Sequence, residues 1–158
     1  MRAALPFALV IVAACLPPDA PPQAPVAPGQ GKLVTFPCES EFTRADAQIT
    51  DHLRRARLWN FAEPTQSKVS IEVVQLAIEC TDPTLDCYAA VGKSVHADAI
   101  LFATIDRASE DGALVVTVSV FDVRANAWVR RSAKKFPTED DALYELKDIV
   151  ADATKRGP

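Results

Sequence analysis

The sequence predicts a single α/β sandwich with a mixed sheet, in the order β-α-β-α-α-β-β-β-α. Three observations lead there. Ala99 to Ile105 is a nearly continuous apolar run, as expected of a strand covered on both faces. Leu114, Val116, Val118 and Val120 alternate with Val115, Thr117, Ser119 and Phe121, the period of a half-buried strand. Around these runs lie segments whose apolar residues recur at helical spacing, and helices layered on a sheet are the stable way to bury both patterns.

Taken in order, Lys32 to Phe36 reads as a short strand ending at Pro37. Thr43 with Asp46 three residues on is close to a capping box, and opens a helix with Ala45, Ile49, Leu53 and Ala56 on one face. Trp59 to Ala62 is read as a short second strand before Glu63-Pro64. Ser70 to Glu79 has β-branched content, but Gln75, Leu76, Ala77 and Glu79 do not alternate, so it is assigned as helix. Thr84 caps a further helix carrying Leu85, Tyr88, Val91 and Val95, which ends at His96-Ala97. After the apolar strand, Glu110-Asp111-Gly112 makes a hairpin turn into the alternating strand. Asp122 to Asn126 forms the next turn, and Trp128 to Phe136 pairs back. Thr138 with Asp141 opens the last helix, with Leu143, Leu146, Ile149 and Val150 inward.

The amino terminus carries a different signal. Arg2 precedes an apolar run from Leu5 to Ala14, too short for the roughly 20 residues that span a bilayer and suited to a secretory signal. Val12-Ala13-Ala14-Cys15 resembles the lipobox of bacterial lipoproteins, in which the cysteine thiol is acylated (with chains such as palmitate) and becomes the new amino terminus. The resemblance implies a signal peptide over residues 1–14, lipid on Cys15, and attachment to a membrane. With Leu16 rather than Asp after the cysteine, the sorting rule of such lipoproteins implies the outer membrane, facing the periplasm. Residues 15–31 contain Pro17, Pro18, Pro21, Pro22, Pro25 and Pro28 among small or polar residues. That composition predicts a tether rising about 3 Å per residue, up to roughly 50 Å. Residues 32–156 then form one domain, large enough for one core.

The 158-residue chain has formal charge −4, and removal of Arg2 with the signal leaves 16 basic and 21 acidic side chains, −5. An acidic chain without a basic run offers no footprint for nucleic acid. In an oxidising compartment, Cys80 and Cys87, seven positions apart, are expected to form a disulfide, and Cys38 is left as the odd thiol. A metal at these cysteines would need further ligands, and His52 and His96 lack the spacing. No cofactor is implied.

The segment Cys80-Thr81-Asp82, Cys87 and Val91 to Leu101, with Phe121-Asp122-Val123, resembles a superfamily that includes the amino-terminal domain of TolB and the curli-secretion lipoprotein CsgG. The resemblance covers approximately Lys32 to Lys155. It implies a binding or assembly module of the cell envelope, although fold alone does not transfer a task. A pore is not expected, because no spare pair of amphipathic strands exists.

No nucleophile elbow, zinc-protease helix or paired-carboxylate motif is present. His52 beside Asp51 lies on a helix without a partner nucleophile, His96 ends a helix, and Asp98 has a capping or turn role. Arg124, Arg130, Arg131, Lys134 and Lys135, with Trp128, mark a possible partner surface on the last strand. Edge protection is the simpler reading, because alternation sends these charges to both faces. The sequence therefore points to a membrane-anchored, non-enzymatic envelope lipoprotein that binds an unidentified envelope protein. A subunit of an oligomeric secretion complex and an envelope hydrolase are the alternatives.

Overall fold

A computed structural model describes residues 31–58, 61–80, 82–109 and 111–155. The signal segment, Cys15 and the tether to residue 30 lie outside the described residues, as do Trp59, Asn60, Thr81, Glu110 and the last three positions. The elements are β1 (Leu33–Thr35), α1 (Thr43–Arg55), β2 (Thr65–Gln66), α2 (Ile71–Ala77), α3 (Leu85–Ser94), β3 (Ala99–Arg107), β4 (Leu114–Asp122), β5 (Ala127–Phe136) and α4 (Glu139–Thr154). The expected order and the mixed sheet are both present. The sheet runs β2-β1-β3-β4-β5, parallel across the first three strands and antiparallel from β3 to β5.

The connections explain the layering. The chain leaves β1 through α1 toward β2, then returns through α2 and α3 to β3 on β1's other side. Right-handed crossovers running in opposite directions place their helices on opposite faces of a sheet. One face accordingly packs Ile49 and Leu53 of α1 and Leu146, Ile149 and Val150 of α4 onto Leu33, Leu101, Ala103, Val116, Val118 and Val120. The other packs Ile71 of α2 and Ala89 and Val91 of α3 onto Val34, Phe36, Ile100, Phe102 and Phe121.

Four local readings are corrected. β2 is Thr65–Gln66, after Pro64; of the strand expected over Trp59 to Ala62, Trp59 and Asn60 lie outside the described residues and Phe61 makes an isolated parallel bridge to Gly31. α1 has Phe42 at its N-cap, and Thr43 is its first residue. The Asp46 carboxylate accepts from the backbone N–H (2.6 Å) and the hydroxyl (2.8 Å) of Ser40, so the side-chain bridge reaches back one turn earlier than a Thr43 cap. β4 is not half-buried along its length: Ser119 and Phe121 are as enclosed as Val118 and Val120, and Phe121 packs in the cluster that holds Ala89 and Val91 of α3. Leu143 is only partly buried, and Ala142 and Ala153 fill the inner face of α4 beside Leu146.

Both short helices end without glycine. After α3, His96 is left-handed (φ 54°), with its N–H donating to the Lys93 carbonyl and that of Ala97 to Gly92 at 2.9 Å. After α2, Glu79 (φ 57°) does the same, its N–H going to Leu76 and that of Cys80 to Gln75 at 2.8 Å. This is the paired 6→1 and 5→2 closure that ordinarily uses glycine.

Candidate functional site

Asp98 stands where the described domain begins. Its carboxylate accepts the Lys32 backbone N–H at 2.7 Å and lies 3.4 Å from the Arg124 guanidinium. The Asp98 N–H donates back to the Lys32 carbonyl at 2.9 Å, and Lys32 Nζ donates to the carbonyl of Val95 at 3.1 Å. Gly31 lies against the Phe61 ring so closely that a Cβ there would meet Cδ1 at 2.6 Å, and its carbonyl accepts from the Ala62 N–H. The capping role expected of Asp98 is thus a junction role: it fixes the residue at which a chain coming from residues 15–30 enters the sheet. Beside it lies a cavity of about 590 Å³ lined by Asp86, Ala89, Lys93, Val123, Arg124 and Asn126, among others.

The basic residues of the last strand are separated. Arg124 sits in the turn before β5, committed to Asp98. Arg130 donates to the Asp152 carbonyl at 3.0 Å, and Lys134 pairs with Glu145, both on α4's side of the sheet. Lys135 pairs with Asp111 at 2.9 Å, and the Lys135 ammonium holds that carboxyl below its usual range. Ser132 donates to the Asp152 carboxylate at 2.6 Å, which likewise lowers the carboxyl's pKa.

Trp128 and Arg131 are brought together by a feature the alternation did not reveal. The β4–β5 register shifts between Val120 and Phe121, so that Val120 faces Arg130 while Phe121 faces Trp128. The extra residue, Val129, is exposed. Trp128 therefore turns onto the α3 face, edge-on to Tyr88 (4.8 Å between centroids) and Phe121 (5.1 Å), with the Arg131 guanidinium 4.7 Å above its ring. Tyr88 stacks on Phe102 at 5.3 Å. Burial pushes the Tyr88 phenol up, partly opposed by Arg131. Trp128 is half-buried aromatic packing, and the sequence sign that could have flagged the bulge was Asn126 before Ala127. Asn126 is left-handed (φ 49°), in a turn where the Asp122 carboxylate accepts from the backbone of Arg124 and Ala125.

The cysteines and histidines take these places. Cys80 and Cys87 are joined in a disulfide with Cα atoms 5.7 Å apart, tying the end of α2 to the first turn of α3. Cys38 is a free, buried thiol whose pKa is pushed far up by burial and by the Asp46 carboxylate. Its N–H donates to Thr50 Oγ1 at 3.0 Å. His52 lies on α1 and lines a cavity with Arg55, Lys147 and Thr154, while Asp51 beside it pairs with Arg55. His96 is exposed beyond α3, on the opposite face of the sheet. The two histidines are not brought together, and neither lines the cavity beside Asp98. No grouping of His, Cys, Asp and Glu among the described residues has the arrangement of a metal site. No helix among them is long and apolar enough to cross a membrane.

No protein-family model matches this chain, and no curated protein matches it in sequence. Among solved structures, it is similar to the LpoB C-terminal domain from Salmonella enterica, at 10% identity over 70% of this chain and 85% of that one, with a TM-score of 0.44. A hypothetical protein from Chlamydia trachomatis gives 13% identity over 79% and 96% of the two chains, with a TM-score of 0.45. TolB from Acinetobacter baumannii gives 14% identity over 80% of this chain but only 29% of its own, with a TM-score of 0.40. Similarities of this size assign neither a family nor a task, so the function is argued from the chain itself.

Proposed function

We propose that this protein is a lipid-anchored module of the bacterial cell envelope, held to the outer membrane through Cys15, whose α/β domain binds another envelope protein and performs no catalysis. The observation behind the reading is the order Val12-Ala13-Ala14-Cys15, proline tether, single domain. A lipid attached at Cys15 and a tether of up to roughly 50 Å would hold a folded unit away from the bilayer surface. The Asp98–Lys32 junction supports this arrangement, because it gives the tether a fixed point of entry. The separation of His52 from His96 gives the hydrolase reading nothing to build on. The ion pairs of Arg130, Lys134 and Lys135 fit a protected edge strand better than a free cationic surface.

The test is metabolic labelling with a fatty acid, followed by membrane fractionation of wild type and Cys15→Ala. The expected result is label on the wild type alone and release of the variant from membranes. An unlabelled wild type, or a variant that still floats with membranes, would overturn the anchor.

A further inference from the structure

Resting on the binding-module reading, we infer that the outer face of α2 and the disulfide loop after it form the docking surface. The partner it fits is an apolar protein segment flanked by Lys or Arg. Six large apolar residues are exposed among the described residues, and four lie between positions 69 and 85. Val73 (43% exposed) and Leu76 (71%) lie at i and i+3 on α2 and form its outer stripe, Val69 (40%) stands just before the N-cap Ser70, and Leu85 (42%) opens α3. The inner side of the helix is already committed to the core through Ile71, with Val74 and Ile78 packed beside it. The stripe thus has no counterpart within the described fold. A contiguous exposed apolar face is costly unless something covers it.

Charge says what covers it. From Lys68 to Asp86 there is one basic side chain and four acidic ones: Glu72, Glu79, Asp82 and Asp86. All four are exposed, and none makes an ion pair among the described residues, although Asp86 accepts from Asn126 at 2.9 Å. Glu79, Asp82 and Asp86 line one concavity of about 400 Å³ whose floor includes Ile78 and the Cys80–Cys87 bridge. An apolar stripe ending in an acidic concavity matches a segment that offers apolar side chains and then an ammonium or guanidinium, its aliphatic stem lying on the apolar floor. Second copies of this chain would bring like charges together. An anionic lipid surface would be repelled by the same carboxylates. The disulfide holds α2, only 7 residues long, against α3, so the stripe and the concavity keep one relative position.

The experiment places a photoreactive benzoylphenylalanine at Leu76 of the full chain in intact cells, with Tyr144 on α4 (87% exposed) as the control position, and sequences the crosslinked peptide. The expected result is a protein adduct at 76, not at 144, on a segment with apolar residues flanked by Lys or Arg. Glu79→Lys with Asp82→Lys should lower its yield by roughly tenfold, while Glu79→Gln with Asp82→Asn lowers it less. Unchanged thermal unfolding of these variants establishes that the fold is intact. Adducts to a second copy, to phospholipid, or to a segment without basic residues would overturn the inference. So would adducts arising at Tyr144 but not at Leu76, which leaves the binding-module reading standing. No protein adduct from either position would remove both.

Discussion

Replacing Gly92 by alanine sets two effects of opposite sign against each other. Gly92 lies inside α3, where alanine is intrinsically favoured by about 1 kcal/mol. Helix propensity alone therefore predicts a more stable protein. Packing predicts the reverse: a Cβ at position 92 would meet Val123 Cγ2 at 2.1 Å, Cγ1 at 2.9 Å and Cβ at 3.1 Å. Val123 is buried, and its β-branched side chain has few rotamers into which to retreat. Overpacking of this kind costs roughly 1–3 kcal/mol, and a contact so far inside van der Waals distance belongs at the upper end. After subtracting the propensity gain, G92A should lose about 1–2 kcal/mol. For a domain of this size that lowers Tm by about 3–8 °C. Urea unfolding followed by circular dichroism, with the disulfide intact, measures the difference. Val123→Ala in the same chain removes both obstructing methyl groups, so G92A/V123A should lie at or above V123A alone, a coupling that a double-mutant cycle reads directly. A G92A protein as stable as its parent would refute the close packing of α3 on the end of β4.

Three further outcomes follow. Asp98→Ala should cost about 0.5–1.5 kcal/mol by removing the exposed hydrogen bond to the Lys32 N–H, and should make the chain near Gly31 a faster site of limited proteolysis; unchanged proteolysis would remove the junction role. Cys80→Ser with Cys87→Ser should cost about 2.5 kcal/mol on the chain-entropy estimate for so short a loop, with faster hydrogen exchange confined to α2 and the start of α3; exchange that rises uniformly would argue against a local staple. The Cys38 thiol is held above its ordinary value near 9.0, so the native state keeps its proton at pH values where the unfolded chain has lost it. Its contribution to stability is complete below that value and falls as pH rises, approaching about 1.4 kcal/mol per pH unit. Cys38→Ala should flatten the decline of unfolding free energy between about pH 8.5 and 10, and an equal slope in both proteins would contradict it.

The sequence determined the order of elements, because each long element carries its own period. Ala99–Ile105 had to be a covered strand, and Ile49, Leu53, Leu146 and Ile149 had to lie on helix faces, whatever surrounds them. It likewise marked the Thr84 and Thr138 caps, whose side chains do accept from Cys87 and Asp141, and the cysteine pair seven positions apart. These are local signals, and local chemistry suffices to produce them. What depended on tertiary structure was each feature that needs two distant segments to meet. The second strand lies at Thr65–Gln66, because pairing with β1 and not local composition fixes where a two-residue edge strand lies. The closures at Glu79 and His96 could not be read without glycine, since the surrounding packing holds those residues left-handed. The bulge at Val129 depends on register with β4 and sends Trp128 to the side opposite Arg130. The apolar stripe of α2 became visible only when the sheet claimed Ile71 and left Val73 and Leu76 to solvent, a division that neither composition nor periodicity of so short a helix decides.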